Sequence, residues 1–168
     1  SSGNVIGGSG SDANVLSGNR LRGVLIEGST STGNTVLGNF IGTNADGSAA
    51  LTNIGSGQQI GVYLYDAPGN TIGGTTAGTE NIISGNITYG IYAWGPNTSG
   101  NEIQGNTIGL DASRSIAIGN GNAGGGGIML SNAPGNIIGG TIAGADNVIS
   151  GHLGAGVIIC GVGGTGNA

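Results

Sequence analysis

Apolar residues recur at every second position in short bursts, and each burst follows a Gly or an Asn. Three columns of such bursts run through the chain. One opens with Gly: GVLIEG from Gly23, GVYLY from Gly61, GIYAW from Gly90, GIML from Gly127 and GVIIC from Gly156. A second opens with Asn, at Asn4, Asn34, Asn70, Asn101 and Asn136, with a truncated copy at Asn167. A third also opens with Asn, at Asn14, Asn39, Asn81, Asn106 and Asn147. Neighbours on a strand point to opposite faces, so alternation predicts strands with one buried face. The inward set of the first Asn column is Ile6, Val36, Ile72, Ile103 and Ile138; that of the second is Leu16, Ile41, Ile83, Ile108 and Ile149. The Gly column contributes Val24/Ile26, Val62/Leu64, Ile91/Ala93, Ile128/Leu130 and Val157/Ile159.

The columns sit inside a larger repeat. GNVIGG at 3–8 returns as GNTIGG at 69–74 and GNIIGG at 135–140. NVLSGN at 14–19 returns as NIISGN at 81–86 and NVISGH at 147–152, which sets a two-coil period of 66–67 residues. Self-similarity at fixed period decides the fold. Three short strands per coil predict an all-β, right-handed, three-sided parallel β-helix of about five coils, a rod about 24 Å long. Long excursions alternate between two corners. They fall at 7–13, 73–80 and 139–146 in odd coils, and at 43–59 and 110–125 in even ones. Corner Asn residues tolerate left-handed backbone and bond local backbone groups, and when stacked can hydrogen-bond up the ladder. No long amphipathic helix pattern is present. The whole chain, 1–168, reads as one β-helix domain. It opens and closes mid-coil without polar capping repeats, so a longer solenoid or a stacking assembly is expected.

NFIGTNADGSAALTN (39–53), APGNTIGGTTAGTENIISGN (67–86) and SGNEIQGNTIGLD (99–111) resemble the right-handed parallel β-helix repeats of large bacterial secreted and cell-surface proteins. The resemblance covers essentially the whole chain. It implies a pectate-lyase-like solenoid in an exported, adhesin-like protein, secreted or at the cell surface. Related solenoids include polysaccharide lyases, epimerases and hydrolases, which makes those chemistries the ones to test residue by residue.

Composition narrows the function. The net charge is −5 and the basic residues are Arg20, Arg22 and Arg114, with no Lys. Nucleic-acid binding needs a basic stripe that these cannot form. No apolar run reaches membrane-spanning length. The lone Cys160 excludes an intramolecular disulfide.

Lyase or epimerase chemistry needs a base beside a charge-stabilising cation, and hydrolysis needs a pair of carboxylates. The eight acids are scattered, and no close pair falls on one strand face. His152 replaces the Asn of the corner seen at Asn19 and Asn86, and reads as a substitution within a ladder. GGSGSDANV at 7–15 approaches the calcium nonapeptide, but its copies lose the Asp spacing and Asn14 stands where an apolar residue belongs. An acid does recur near the second Asn column, at Asp12, Glu80 and Asp146. These are the candidates for a divalent ion, against the simpler reading of solvated turn acids. TNADGS at 43–48 reads as a turn. No cofactor is implied.

The outward positions of the Gly column are the most informative surface. One column reads Leu25, Tyr63, Tyr92, Met129 and Ile158; its neighbour reads Glu27, Tyr65, Trp94, Ser131 and Cys160. Four of the six aromatic residues thus share two coils, whereas outward positions elsewhere read mainly as Thr, Ser, Gly and Val. A contiguous apolar patch marks an interaction surface. The binding candidates are therefore Tyr63, Tyr65, Tyr92, Trp94, Met129 and Ile158. The expected function is a non-catalytic structural or adhesive module that meets itself or neighbouring domains. A glycan-binding face and a degenerate polysaccharide lyase or epimerase are the alternatives.

Overall fold

The computed structural model describes residues 1–51, 57–121 and 124–168. Parts of the expected excursions at 43–59 and 110–125, namely 52–56 and 122–123, lie outside the described residues. The fold is a right-handed, three-sided parallel β-helix of five coils. The first sheet stacks β1 (Val5–Gly7), β4 (Thr35–Leu37), β7 (Thr71–Gly73), β10 (Glu102–Gln104) and β13 (Ile137–Ile138). The second stacks β2 (Val15–Leu16), β5 (Phe40–Ile41), β8 (Ile82–Ile83), β11 (Thr107–Ile108) and β14 (Val148–Ile149). The third stacks β3 (Arg22–Glu27), β6 (Ile60–Tyr65), β9 (Tyr89–Trp94), β12 (Gly126–Ser131) and β15 (Val157–Cys160).

The register follows the sequence columns. Ile6, Val36, Ile72, Ile103 and Ile138 align in the first sheet. Leu16, Ile41, Ile83, Ile108 and Ile149 align in the second. These ladders and the inward pairs of the third sheet fill the core, and in the middle coils they are buried. At the open end of the fifth coil Val157 and Ile159 keep the inward register but are 40% and 51% exposed.

Asn side chains form continuous hydrogen-bonded ladders inside the corners. Along the first sheet, the Nδ2 of Asn4, Asn34, Asn70 and Asn101 donates to the Oδ1 of the Asn one coil on, at 2.7, 2.8, 3.2 and 2.8 Å. The second ladder runs Asn14, Asn39, Asn81, Asn106, Asn147 at 3.0, 3.2, 2.9 and 3.0 Å. In most steps the backbone N–H of the same residue also donates to that Oδ1. The left-handed backbone, however, belongs to the Gly before each Asn of the first ladder, for example Gly69 at φ 62°, and not to the Asn.

A third ladder was hidden in the sequence. Asn19 donates to Gln58 at 2.9 Å, Gln58 to Asn86 at 2.8 Å and Asn86 to Asn120 at 2.8 Å. Gln58 and Asn120 belong to the long excursions, where no spacing marks them. The longer Gln reaches the same line from a differently routed backbone.

In the third sheet β15 starts after Gly156, whereas the first four strands start one residue before their Gly, so Gly23, Gly61, Gly90 and Gly127 lie within them. They are not simple corner residues. A Cβ on Gly90 would lie 3.0 Å from Ile108 Cγ2 and 2.9 Å from the Gly127 carbonyl oxygen. Gly is thus needed for close approach to the second-sheet ladder. Gly and the next residue both face inward, and this break in alternation turns Arg22, Ile60 and Tyr89 outward.

The second sheet's outer face also departs from expectation, because it carries Phe40 and Ile82. The even-coil excursions fold over it as two small hairpins, bridged at Thr43–Ala50 and Leu110–Ala117. The Ala112 N–H donates to the Gly47 carbonyl at 3.0 Å, which joins the hairpins. Outward Ile82 and Thr107 are buried on this side.

Candidate functional site

The hairpins leave the third sheet's outer face open, and its register brings the candidate aromatics together. Tyr63 pairs with Tyr92 and Tyr65 with Trp94 on adjacent strands β6 and β9. The Tyr63 and Tyr92 centroids are 5.1 Å apart with planes 18° from parallel. Tyr63 and Tyr65 are 6.0 Å apart and nearly parallel, and Tyr65 and Trp94 are 4.9 Å apart at 33°. These are stacking distances. Tyr63 thus stacks on Tyr92 across adjacent coils and on Tyr65 along its own strand.

Two neighbours extend the cluster beyond the residues singled out from sequence. Tyr89 lies 5.4 Å from Tyr92, and the Arg22 guanidinium carbon sits 4.8 Å over the Tyr63 ring. Both come from the strand start before Gly, which the alternating pattern did not include. Met129 and Ile158 continue the Tyr63–Tyr92 column in register, and Leu25, 43% exposed, begins it. Mutual burial pushes the Tyr63 and Tyr92 hydroxyls above the usual phenol range; neighbouring Tyr92 adds to the effect at Tyr63. The stack also gives the rings a folding role. Each stacked pair contributes about 0.5–1.5 kcal/mol beyond area burial, so their outward placement is not by itself evidence of a partner.

Of the acids recurring near the second Asn column, Glu80 and Asp146 line one surface cleft together with Arg114. Glu80 pairs with Arg114, whose Nε donates to the Thr107 hydroxyl at 3.0 Å. Arg114 adopts φ 61° where the sister hairpin has Gly47. Left-handed backbone costs a residue with a Cβ about 1–2 kcal/mol, which these contacts offset. Among the described residues there is no cluster of three or more His, Cys, Asp or Glu side chains suited to a metal, and Asp12 and Asp146 join none. The 43–48 turn is held by its own side chains: Asn44 Oδ1 accepts from the Ser48 and Ala49 N–H groups, and Asp46 Oδ1 from Ser48. The Ser48 hydroxyl holds Asp46 below the usual carboxylate range, and the Ser113 hydroxyl, with the Ile116 N–H, does the same for Asp111. Neither is suited to carry a proton near neutrality.

His152 ends the third ladder. Its Nδ1 lies 3.0 Å from the Asn120 amide nitrogen and 3.2 Å from the Asn120 carbonyl oxygen. Nε2 is buried against Gly109 and Gly127 and has no hydrogen-bond partner. Burial lowers the pKa below the usual 6.5. The unfolded chain therefore takes up this proton first as pH falls. The contribution of His152 to stability is complete above about 6.5 and is lost as pH falls through the depressed folded value. Urea titrations at pH 8 and pH 5 should show the parent losing more stability than His152→Asn. The Asn would restore the ladder, with Nδ2 directed at the Ile108 carbonyl as Asn120 is at Ile83. Equal losses in the two proteins would refute this assignment.

The site is thus a stacked cluster of four aromatic side chains, extended by Tyr89 and Arg22, on one parallel sheet. Comparison with known proteins returned no match: no family model, no curated protein and no solved structure corresponds to this chain.

Proposed function

We propose that this chain is a non-catalytic, exported structural or adhesive solenoid module of the adhesin-like type, which meets its partner through the outer face of the third sheet. The observation that carries this reading is the continuity of the aromatic cluster with exposed Leu25 and with Met129, an apolar patch on a face that the hairpins leave open. Rigid aromatics with two side-chain torsions lose little entropy on contact and dominate many protein interfaces. The spent acids support a role without turnover, since Asp46, Asp111 and Glu80 are engaged by turns or by Arg114.

Glycan contact is the second reading, and one observation favours it. Trp94 is followed in register by Ser131, which is too small to cover the indole face on that side. A sugar ring could stack there.

Tyr65→Ser combined with Trp94→Ser tests the proposal. The double variant should remain folded and lose about 1–3 kcal/mol of stability from two ring pairs. Its association should weaken at least tenfold, read by sedimentation of the protein alone and by retention on immobilised neutral and acidic polysaccharides. A folded double variant that associates like the parent would remove the face from consideration. Polysaccharide turnover abolished by one substitution at Arg20, Arg22 or His152 would overturn the non-catalytic part.

A further inference from the structure

The third sheet carries opposite charges at the two ends of one strand. Arg22 begins β3 and Glu27 ends it; both are exposed, and neither has an ion pair among the described residues. The same polarity continues in the next two coils in apolar form. Ile60 begins β6 and Tyr65 ends it; Tyr89 begins β9 and Trp94 ends it. One rim of the sheet therefore reads basic, aliphatic, aromatic, and the other reads acidic, aromatic, aromatic.

We propose that the partner of this face is a second copy of the chain, docked sheet against sheet with the two rods running the same way. This rests on the reading of the face given above and names its occupant. A two-fold axis along the rods reverses each strand opposite its own copy. Arg22 then faces Glu27 of the other copy, Ile60 faces Tyr65 and Tyr89 faces Trp94, and each contact is made twice, as an isologous interface requires. Sheets packed face to face lie about 10 Å apart, a gap that Arg and Glu side chains reaching toward each other can close. Running the rods in opposite directions would set the first coil against the fifth. Glu27 would meet Cys160 of the other copy, and the charges would lose their partners.

The ring geometry also favours a protein surface over a sugar. Tyr63 is stacked on Tyr92 at 5.1 Å and capped by the Arg22 guanidinium at 4.8 Å, so its ring faces are already engaged within the cluster. Sugar stacking needs open ring faces. The face spans about 24 Å along the rod and about 17 Å along the strand. That is small for a protein interface, so the dimer is weak and concentration-dependent.

The experiment is a charge exchange on the 168-residue chain, read by sedimentation equilibrium up to millimolar concentration at low and high salt. The parent should dimerise, less so at high salt. Arg22→Glu alone and Glu27→Arg alone should each weaken the dimer at least tenfold. The combined variant Arg22→Glu/Glu27→Arg should recover parental dimerisation, because the pair is restored with its signs exchanged. Recovery also excludes damage to the Arg22–Tyr63 contact as the cause. A monomeric parent overturns the proposal, as does a dimer indifferent to the single reversals or one that the exchange fails to rescue. A monomeric parent that still binds polysaccharide through Trp94 would leave the face functional and reject only the second copy. A monomer that binds nothing would reject both.

Discussion

Replacing Ile103 with Asp unfolds the coils around it. Ile103 is wholly buried and in register between Ile72 and Ile138. The core is narrow, with one inward aliphatic from each strand of the first two sheets and two from each strand of the third, and no described basic group lies within it to pair a new carboxylate. An unpaired buried charge costs several kcal/mol, against a total stability of about 5–15 kcal/mol for a domain. In a solenoid each coil rests on its neighbours, so damage at the fourth coil separates the third from the fifth. Circular dichroism should show loss of a cooperative melt, or a melt lowered by tens of degrees. Ile103→Val is the control, expected to cost about 0.5–1.5 kcal/mol. A variant Ile103→Asp that melts within a few degrees of the parent would show that the ladder is not the core.

Asn101→Ala should cost about 3 kcal/mol in a urea titration, far more than the same change at Asn4. The Asn101 Oδ1 accepts from the Asn70 N–H at 2.8 Å and from Asn70 Nδ2 at 3.2 Å, and its own Nδ2 donates to Asn136 at 2.8 Å. Asn70 Nδ2 keeps the Ser31 and Pro68 carbonyls, but the buried N–H is left without an acceptor. An orphaned buried donor costs about 1–3 kcal/mol, and the vacated space adds to that. Asn4 is exposed, so water replaces what its side chain gave up. Asn101→Asp separates the two halves of the contact. It keeps the acceptor for Asn70 but sets two oxygens against each other at Asn136, and should also destabilise. Equal costs at Asn4 and Asn101 would mean that the ladder adds no stability beyond its aliphatic neighbours.

The three-sided coil, its register and its inward ladders were legible in the sequence, and the physical reason is locality. In a solenoid, residues that touch occupy equivalent positions in successive coils, so period and alternation together specify contact. Ile72 and Ile103 could be paired by their spacing alone, as could Asn70 and Asn101. The same logic put Tyr63 beside Tyr92 and Tyr65 beside Trp94. What alternation could not give was anything that breaks it. Arg22 and Tyr89 joined the aromatic face only because Gly23 and Gly90 turn inward against the Ile41 and Ile108 ladder, and that close approach depends on packing between sheets. Gln58 and Asn120 joined a ladder from excursions whose path no spacing encodes. Phe40 and Ile82, outward in sequence, were covered by hairpins that fold back over their sheet. Ring stacking was likewise a tertiary outcome: the sequence determined which rings are neighbours, and packing decided that Tyr63 stacks on both Tyr65 and Tyr92.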